Sequence, residues 1–250
     1  MLVTVIGCSG SFPGPESPAS CYLVEADGFS LLLDLGNGAL GALQRHRSLY
    51  EIDGVCLTHL HADHCLDLCG YWVARRYRPD GLPPKIPVYG PDGTADRMAR
   101  AYDLDPDPGM REIFDFELLR HGPQKIGPFT VTTARMCHPV DAYGFRVEYG
   151  GRVVAYSGDT GASAALVELA RDADLFLCEA SFLDQPGLPA DLHLTAREAG
   201  EHAARAGARK LILTHLVPWN DREMSLAEAK ATGYEGEIEL ARQGAEYELT

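Results

Sequence analysis

A four-layer αββα sandwich made of two similar α/β halves is the fold this sequence predicts. Three observations lead there. Apolar or β-branched runs of strand length alternate with segments of helical apolar spacing along the chain. Side chains able to bind metal recur where such runs end, at His59, His138, Asp159 and His215. Finally, Leu57-Thr58-His59-Leu60 returns as Leu213-Thr214-His215-Leu216, each time after an apolar strand, which suggests two β-α halves facing each other. Such halves bury their sheets against one another, cover them with helices and gather strand C-termini at one edge.

The elements follow in order. Strands are expected at Leu2–Ile6, Tyr22–Glu25, Ser30–Asp34 and Gly54–Thr58, bounded by glycine, proline or acidic residues. Between the first two, Gly7 to Pro15 is turn-rich but lacks Gly-Lys-Ser/Thr and a following helix, so it reads as a loop rimming the site. A helix is expected from about Cys65 to Arg78 on the spacing of Leu66, Cys69, Trp72, Val73 and Tyr77, stopped by Pro79 and Gly81. Its Arg75, Arg76 and Arg78 read as a solvated last turn favouring the helix dipole. A strand at Ile86–Tyr89 and a helix at Thr94–Tyr102 follow, and the Asp105 to Gly109 loop reads as the boundary between halves. Beyond it, strands are expected at Phe114–Leu118, Phe129–Met136, Tyr143–Tyr149, Arg152–Ser157, Leu175–Glu179 and Lys210–His215. Helices are expected at Ala162–Arg171, Arg197–Ala206 and Ser225–Thr232.

With 46% hydrophobic and 23% charged residues, 250 residues can build a substantial core. No low-complexity tract or linker divides them, so one domain over 1–250 is expected. The net charge of −14 argues against a large basic surface for nucleic acid. A small anionic substrate stays compatible, because bound cations reverse the field locally. Seven cysteines (8, 21, 56, 65, 69, 137 and 178), without a Cys-x-x-Cys, read mostly as small buried hydrophobes in a reducing compartment. Met1–Ile6 lacks a basic n-region and is too short for a signal peptide or membrane span, so a cytoplasmic location without a membrane partner is expected.

Chemistry concentrates in Thr58-His59-Leu60-His61-Ala62-Asp63-His64. Three imidazoles and a carboxylate that close together repel one another when charged, so a metal is the natural compensation. Nitrogen and oxygen ligands without thiolates suit Zn²⁺, Mn²⁺ or Fe, and a partly open ligand set suits hydrolysis. His138 closes a strand before Pro139, Asp159 sits in Ser157-Gly158-Asp159-Thr160 after another, and His215 closes Leu211-Ile212-Leu213. A lone histidine at a strand end is ordinarily structural. Three such residues beside one dense cluster are better explained by a dinuclear centre.

On these residues the chain resembles the metallo-β-lactamase superfamily, over nearly its whole length. The resemblance implies that His59, His61 and His138 hold one metal, that Asp63, His64 and His215 hold a second, and that Asp159 bridges them. Asp34, in Leu33-Asp34-Leu35-Gly36, matches a family acid that orients a ligand histidine. Two divalent cations, Zn or Mn, would lower the pKa of a shared water and neutralise transition-state charge. Asp191-Leu192-His193-Leu194-Thr195 looks like the His-x-Thr motif of ribonuclease Z-like phosphodiesterases, and Glu179 matches the acid that positions this histidine. The roles implied are His193 as phosphate contact or proton donor to the leaving oxygen, with Glu179 as its orienter. A capping box over Thr195 to Glu198 explains the threonine without catalysis, but not the histidine.

Ribonuclease Z proper carries a long basic arm between its third-motif histidine and bridging aspartate. Here His138 and Asp159 are separated by only 20 residues, so the arm is absent. Few lysines remain for the phosphate contacts that dominate nucleic-acid affinity. The resemblance is closer to the atypical cyclic AMP phosphodiesterases of actinobacterial type. It runs through Gly7–Ser11, Pro18–Ser20, Leu40–His46, Thr58–Leu68, Tyr156–Gly161, Phe176–Ser181, Asp191–Thr195 and Leu213–Trp219. It implies hydrolysis of 3′,5′-cyclic nucleotides, cAMP favoured, to 5′-nucleoside monophosphates, and a homodimer with the Trp72–Arg78 region as candidate contact. An RNA 3′-processing nuclease or a metallo-hydrolase of another ester is the alternative. Trp72, Tyr77, Phe182 and Trp219 are candidates to stack a base.

Overall fold

The computed structural model, which describes residues 1–250, begins with β1 (Leu2–Gly7), β2 (Cys21–Ala26) and β3 (Phe29–Leu33), paired antiparallel. Helix α1 (Ala39–Leu43) precedes β4 (Gly54–Cys56), α2 (Ala62–Cys65) and α3 (Leu68–Arg76) precede β5 (Ile86–Gly90), and α4 (Thr94–Ala101) precedes β6 (Phe114–Leu118). Strands β3 to β6 run parallel. A second antiparallel run follows: β7 (Gly122–Ile126), β8 (Phe129–Arg135), β9 (Tyr143–Tyr149) and β10 (Arg152–Tyr156). Helix α5 (Ala164–Leu169) then leads to β11 (Leu175–Glu179), α6 (Ala196–Ala206) to β12 (Lys210–Thr214) and α7 (Arg222–Lys230) to β13 (Glu237–Leu240), all parallel to β10. The chain ends by laying β14 (Glu246–Glu248) antiparallel on β1.

Alternation of side chains along the strands sorts the apolar residues into three cores. Leu31 and Leu33 of β3 meet Phe129, Val131 and Ile212 between the two sheets. Leu32 points the other way, into a core it shares with Leu43, Leu68 and Met98 of the helices. On the far side, Phe176, Leu211 and Leu213 pack under Leu166, Ala199 and Ala203 of α5 and α6. Helix, sheet, sheet and helix give the expected αββα sandwich.

Each sheet has seven strands, in the orders β14-β1-β2-β3-β4-β5-β6 and β13-β12-β11-β10-β9-β8-β7. The antiparallel-then-parallel plan is therefore repeated, and β3 corresponds to β10, β4 to β11 and β5 to β12. The repeated Leu-Thr-His-Leu does not follow that correspondence, since one copy follows β4 and the other closes β12. The symmetry is real, but the tetrapeptide does not mark it. The boundary between halves also moves, because β6 adds to the first sheet and places the division after Leu118 rather than in the Asp105 to Gly109 loop.

The helix expected from Cys65 to Arg78 is two pieces, α2 and α3. Asp67 ties the junction to the segment after β3: its N–H donates to Leu35 O at 3.2 Å and its carboxylate accepts from Leu40 N at 2.8 Å. Arg75 is buried rather than solvated, donating to Tyr71 Oη at 3.3 Å and to the Pro84 carbonyl. Strands β7, β13 and β14 escape a pattern reading because they carry Gly-Pro or alternating glutamates, and all lie at sheet edges where such residues are tolerated. Between His138 and Asp159 the chain forms only the β9–β10 hairpin, which turns at Gly150–Gly151 and leaves no segment for an arm.

Candidate metal centre

The ends of β3, β4, β8, β10, β11 and β12 open on one edge of the sandwich, and the chemistry-bearing residues occupy the loops and strand ends there. Asp34 follows β3 and His215 follows β12, both with left-handed backbone, φ 61° and 52°. Such a conformation is costly for non-glycine residues and is held here by the surrounding contacts. Gly158, before Asp159, has φ 57°, and a Cβ there would lie 2.8 Å from Tyr143 O and 2.9 Å from the Thr58 methyl. Glycine is required for the Asp159 turn to close against Thr58. The Gly7 to Pro15 loop does rim the site, bringing the Ser11 N–H to 3.3 Å from His215 Nε2.

Two overlapping groups of donor atoms result. His59, His61, His138 and Asp159 form one, and Asp63, His64, Asp159 and His215 the other, with ligand atoms in each within 4.8 Å of one another. In the first, His61 Nδ1 lies 3.0 Å from His59 Nε2 and 3.3 Å from His138 Nε2. In the second, His64 Nε2 lies 3.2 Å from His215 Nε2, and Asp63 Oδ2 3.0 Å from the latter. Asp159 is common to both, with Oδ2 3.6 Å from His59 Nε2 and Oδ1 3.1 Å from His64 Nε2.

Contacts behind the donors decide which atoms face inward. Carboxylates and carbonyls only accept, so His64 Nδ1 donates to Asp34 Oδ2 at 2.7 Å and His138 Nδ1 donates to Leu192 O at 2.8 Å. Thr58 Oγ1 gives its proton to Asp34 Oδ2 at 2.9 Å and so accepts from His59 Nδ1 at 3.0 Å. Ser181 Oγ likewise donates to Glu179 Oε2 and accepts from His215 Nδ1, both at 2.7 Å. The Nε2 atoms of His59, His64, His138 and His215 are thereby left for the centre.

This donor set fits divalent cations. Burial, the nearby His64 charge and neighbouring imidazoles hold His59 well below the usual imidazole range, so the first group presents neutral lone pairs that repel unless a cation lies among them. Burial also disfavours charge on His64, but the Asp159 and Asp34 carboxylates outweigh it and raise this group: the second pocket is built to hold positive charge. Asp159 Oδ1 is buried and accepts no hydrogen bond. Glu179, His193 and His215 form a third grouping, but Glu179 is already spent on four donors, Thr160 N, His193 Nδ1, Ser181 N and Ser181 Oγ. Its two oxygens are taken up by those donors.

His193 stands over this edge, its ring 5.5 Å from His138 and 5.4 Å from His215. Its Nδ1 donates to Glu179 Oε1 at 3.0 Å. Burial alone would depress this imidazole; the charge and hydrogen bond of Glu179 outweigh it and lift His193 to about 9. Thr195 and Glu198 do form the capping box of α6, which fixes the loop carrying His193.

A description of a β-lactamase superfamily domain matches residues 30–216. The Mycobacterium leprae protein ML1173 is 45% identical over 253 residues, 99% of this chain and 88% of that protein. The chain belongs to the metallo-β-lactamase superfamily. The probable metallo-hydrolase YhfI of Bacillus subtilis is 33% identical over 248 residues, 98% of each chain. Its crystal structure superposes with a TM-score of 0.87 at 31% identity over 98% of both chains. A ribonuclease Z of Streptomyces coelicolor is 28% identical over 290 residues, 96% of this chain and 95% of that one. Membership makes metal-dependent hydrolysis the chemistry of this edge.

Ser181, Thr58 and Tyr156 were not legible as site residues. Ser181 lies two residues past Glu179, just beyond the end of β11, and that nearness is the one sequence signal available for it. Tyr156 reads as core, yet its hydroxyl donates to Asp34 Oδ2 at 2.7 Å. Of the aromatic candidates, Phe182 stands edge-on to His193 at 5.3 Å. Trp72 is buried against Tyr102, and Tyr77 packs on Trp72. Trp219 is 75% exposed on the ring of Phe12.

Proposed function

We propose that this chain is a dinuclear metal-dependent phosphodiesterase hydrolysing 3′,5′-cyclic nucleotides, cAMP favoured, to 5′-nucleoside monophosphates. His59, His61 and His138 would hold one divalent cation and Asp63, His64 and His215 the other, with Asp159 shared; Zn or Mn suits these donors. Bound there, the cations supply an acidified water and neutralise phosphate charge. The observation that carries phosphodiester chemistry is His193 on Glu179. A carboxylate on Nδ1 keeps the imidazole protonated near neutral pH and makes Nε2–H the free donor. When the bond from phosphorus to the 3′-oxygen breaks, that proton passes to the leaving oxygen, a contribution of about 10²–10⁴ in rate.

A small substrate is supported by the net charge of −14 and by the short β9–β10 hairpin where an arm would stand. The alignment to the ribonuclease Z relative spans 290 positions, more than the 250 residues of this chain, so that protein carries inserted segments that this chain lacks. The test is a panel of cAMP, an aryl phosphodiester, a dinucleotide and precursor tRNA with added Zn²⁺ or Mn²⁺, and Asp63→Ala as control. Metal-dependent cAMP turnover absent from the control is expected. Turnover of precursor tRNA alone would replace the reading with RNA 3′ processing.

We also infer a single domain, supported by the return of β14 to the first sheet, and a homodimer, tested by sedimentation velocity. A cytoplasmic location is supported by seven free cysteines, all buried but Cys137. No helix is long and apolar enough to cross a membrane.

A further inference from the structure

We propose that the cavity on the His61 side of the centre is the nucleoside subsite and that Arg97 is the residue that contacts the base. This rests on the cyclic-nucleotide reading above.

Two cavities adjoin the metal-binding edge. One, of about 500 Å³, lies beyond His193 and is lined by Asp184, Asp191 and Glu198. Its one guanidinium, Arg197, is held by Asp184 at 2.7 Å. Apart from His193, which belongs to the reacting edge, an anionic substrate meets no free cation there. The other measures about 530 Å³, within the size range of small-molecule sites. His61 forms part of its wall, so a molecule with its phosphate at the centre reaches directly into it.

The remaining wall suits a base. Leu60 and Val140 ride on the loops that carry His61 and His138, and Val140 is 40% exposed, an apolar face turned to the cavity. Arg97 projects from α4, whose position is set by the buried Met98 and Ala99. Its side chain is exposed and makes no ion pair or hydrogen bond, although acids outnumber bases 36 to 22 in this chain. The two acids on the same wall are engaged elsewhere: Asp141 accepts from Arg135 at 2.5 Å and Asp92 from Gly93 N at 2.9 Å. A flat ring between Leu60 and Val140 presents its edge to unengaged guanidinium donors. Adenine and guanine both offer N7 as acceptor on that edge, where a pyrimidine offers carbon. The subsite therefore prefers purines.

The experiment compares wild type, Arg97→Met and Arg97→Lys on cAMP, cyclic CMP and bis(4-nitrophenyl) phosphate, with calorimetric titration of 5′-AMP as a readout independent of turnover. Losing one charge-assisted contact at a partly exposed site is expected to raise KM for cAMP about tenfold and to weaken 5′-AMP binding to match, with kcat changed less than about twofold. KM for the aryl diester stays unchanged, the preference for cAMP over cyclic CMP shrinks, and lysine restores part of both. Wild type that hydrolyses cAMP, with an unaltered KM in Arg97→Met, overturns the subsite alone. An equal loss of kcat on cAMP and the aryl diester also overturns it, since Arg97 then acts through His61. Wild type active on the aryl diester but silent on cAMP overturns the cyclic-nucleotide reading and the subsite with it.

Discussion

Replacing Asp34 by asparagine isolates what the contacts behind the donors contribute. Asp34 is fully buried; Oδ1 accepts from Thr58 N at 2.7 Å, and Oδ2 accepts from Thr58 Oγ1, His64 Nδ1 and Tyr156 Oη at 2.9, 2.7 and 2.7 Å. An amide has one acceptor oxygen. Its best placement keeps that oxygen on the three donors and turns NH₂ against the Thr58 N–H, donor to donor. An orphaned buried donor costs about 1–3 kcal/mol, and the bonds kept lose their charged acceptor, so a total loss of about 2–4 kcal/mol is expected. For a domain of this size that lowers Tm by roughly 5–15 °C. His64 also loses the partner that aims its Nε2 inward, which should weaken metal affinity by about 10–100-fold. Thermal melts with and without Zn²⁺, plus competition against a chromophoric chelator, read the two effects separately. Because ligand binding stabilises in proportion to the logarithm of affinity, the Zn²⁺-induced rise in Tm must shrink in the variant. A folded Asp34→Asn that binds Zn²⁺ as tightly as wild type would refute the reasoning.

Three further outcomes are expected. His193→Ala should lower kcat by about 10²–10⁴ while leaving metal content unchanged by elemental analysis; a loss of metal would instead place His193 among the ligands. Ser181→Ala removes the link from Glu179 to His215 Nδ1 and should cost about 1–3 kcal/mol in chemical denaturation, with one metal held roughly tenfold more weakly. Gly158→Ala forces a Cβ to 2.8 Å from Tyr143 O at φ 57°, and should destabilise the fold by about 1–3 kcal/mol or more; a neutral melt would show that the turn can open freely.

Much of the architecture is legible along the chain because strand and helix periodicities are local. Leu31, Leu32 and Leu33 belong to an apolar run whichever core each faces. Where long-range ties override local pattern, the reading fails. The helical spacing from Leu66 to Tyr77 is sound, yet Asp67, bound to Leu35 and Leu40, breaks the helix in two. Arg75 carries the residue type of a solvated helix end, but Tyr71 and Pro84 enclose it. The Leu-Thr-His-Leu repeat points to a symmetry that exists, while standing at the ends of strands the symmetry does not relate.

The candidate site divides along the same line. Residue type, the dense cluster after one strand and position at other strand ends are sequence properties, and they single out His59, His61, Asp63, His64, His138, Asp159 and His215 as candidates. For His64, His138 and His215, which nitrogen turns inward depends on an acceptor supplied from elsewhere in the chain. Asp34 comes from 30 residues before His64, Ser181 from 34 before His215 and Leu192 from 54 after His138. Hydrogen bonding at about 3 Å needs the partners' coordinates and not merely their identities, so the sequence by itself determined the family and named the candidate donors. Tertiary structure decided their orientation, and left Arg97 unpaired in the cavity beside them.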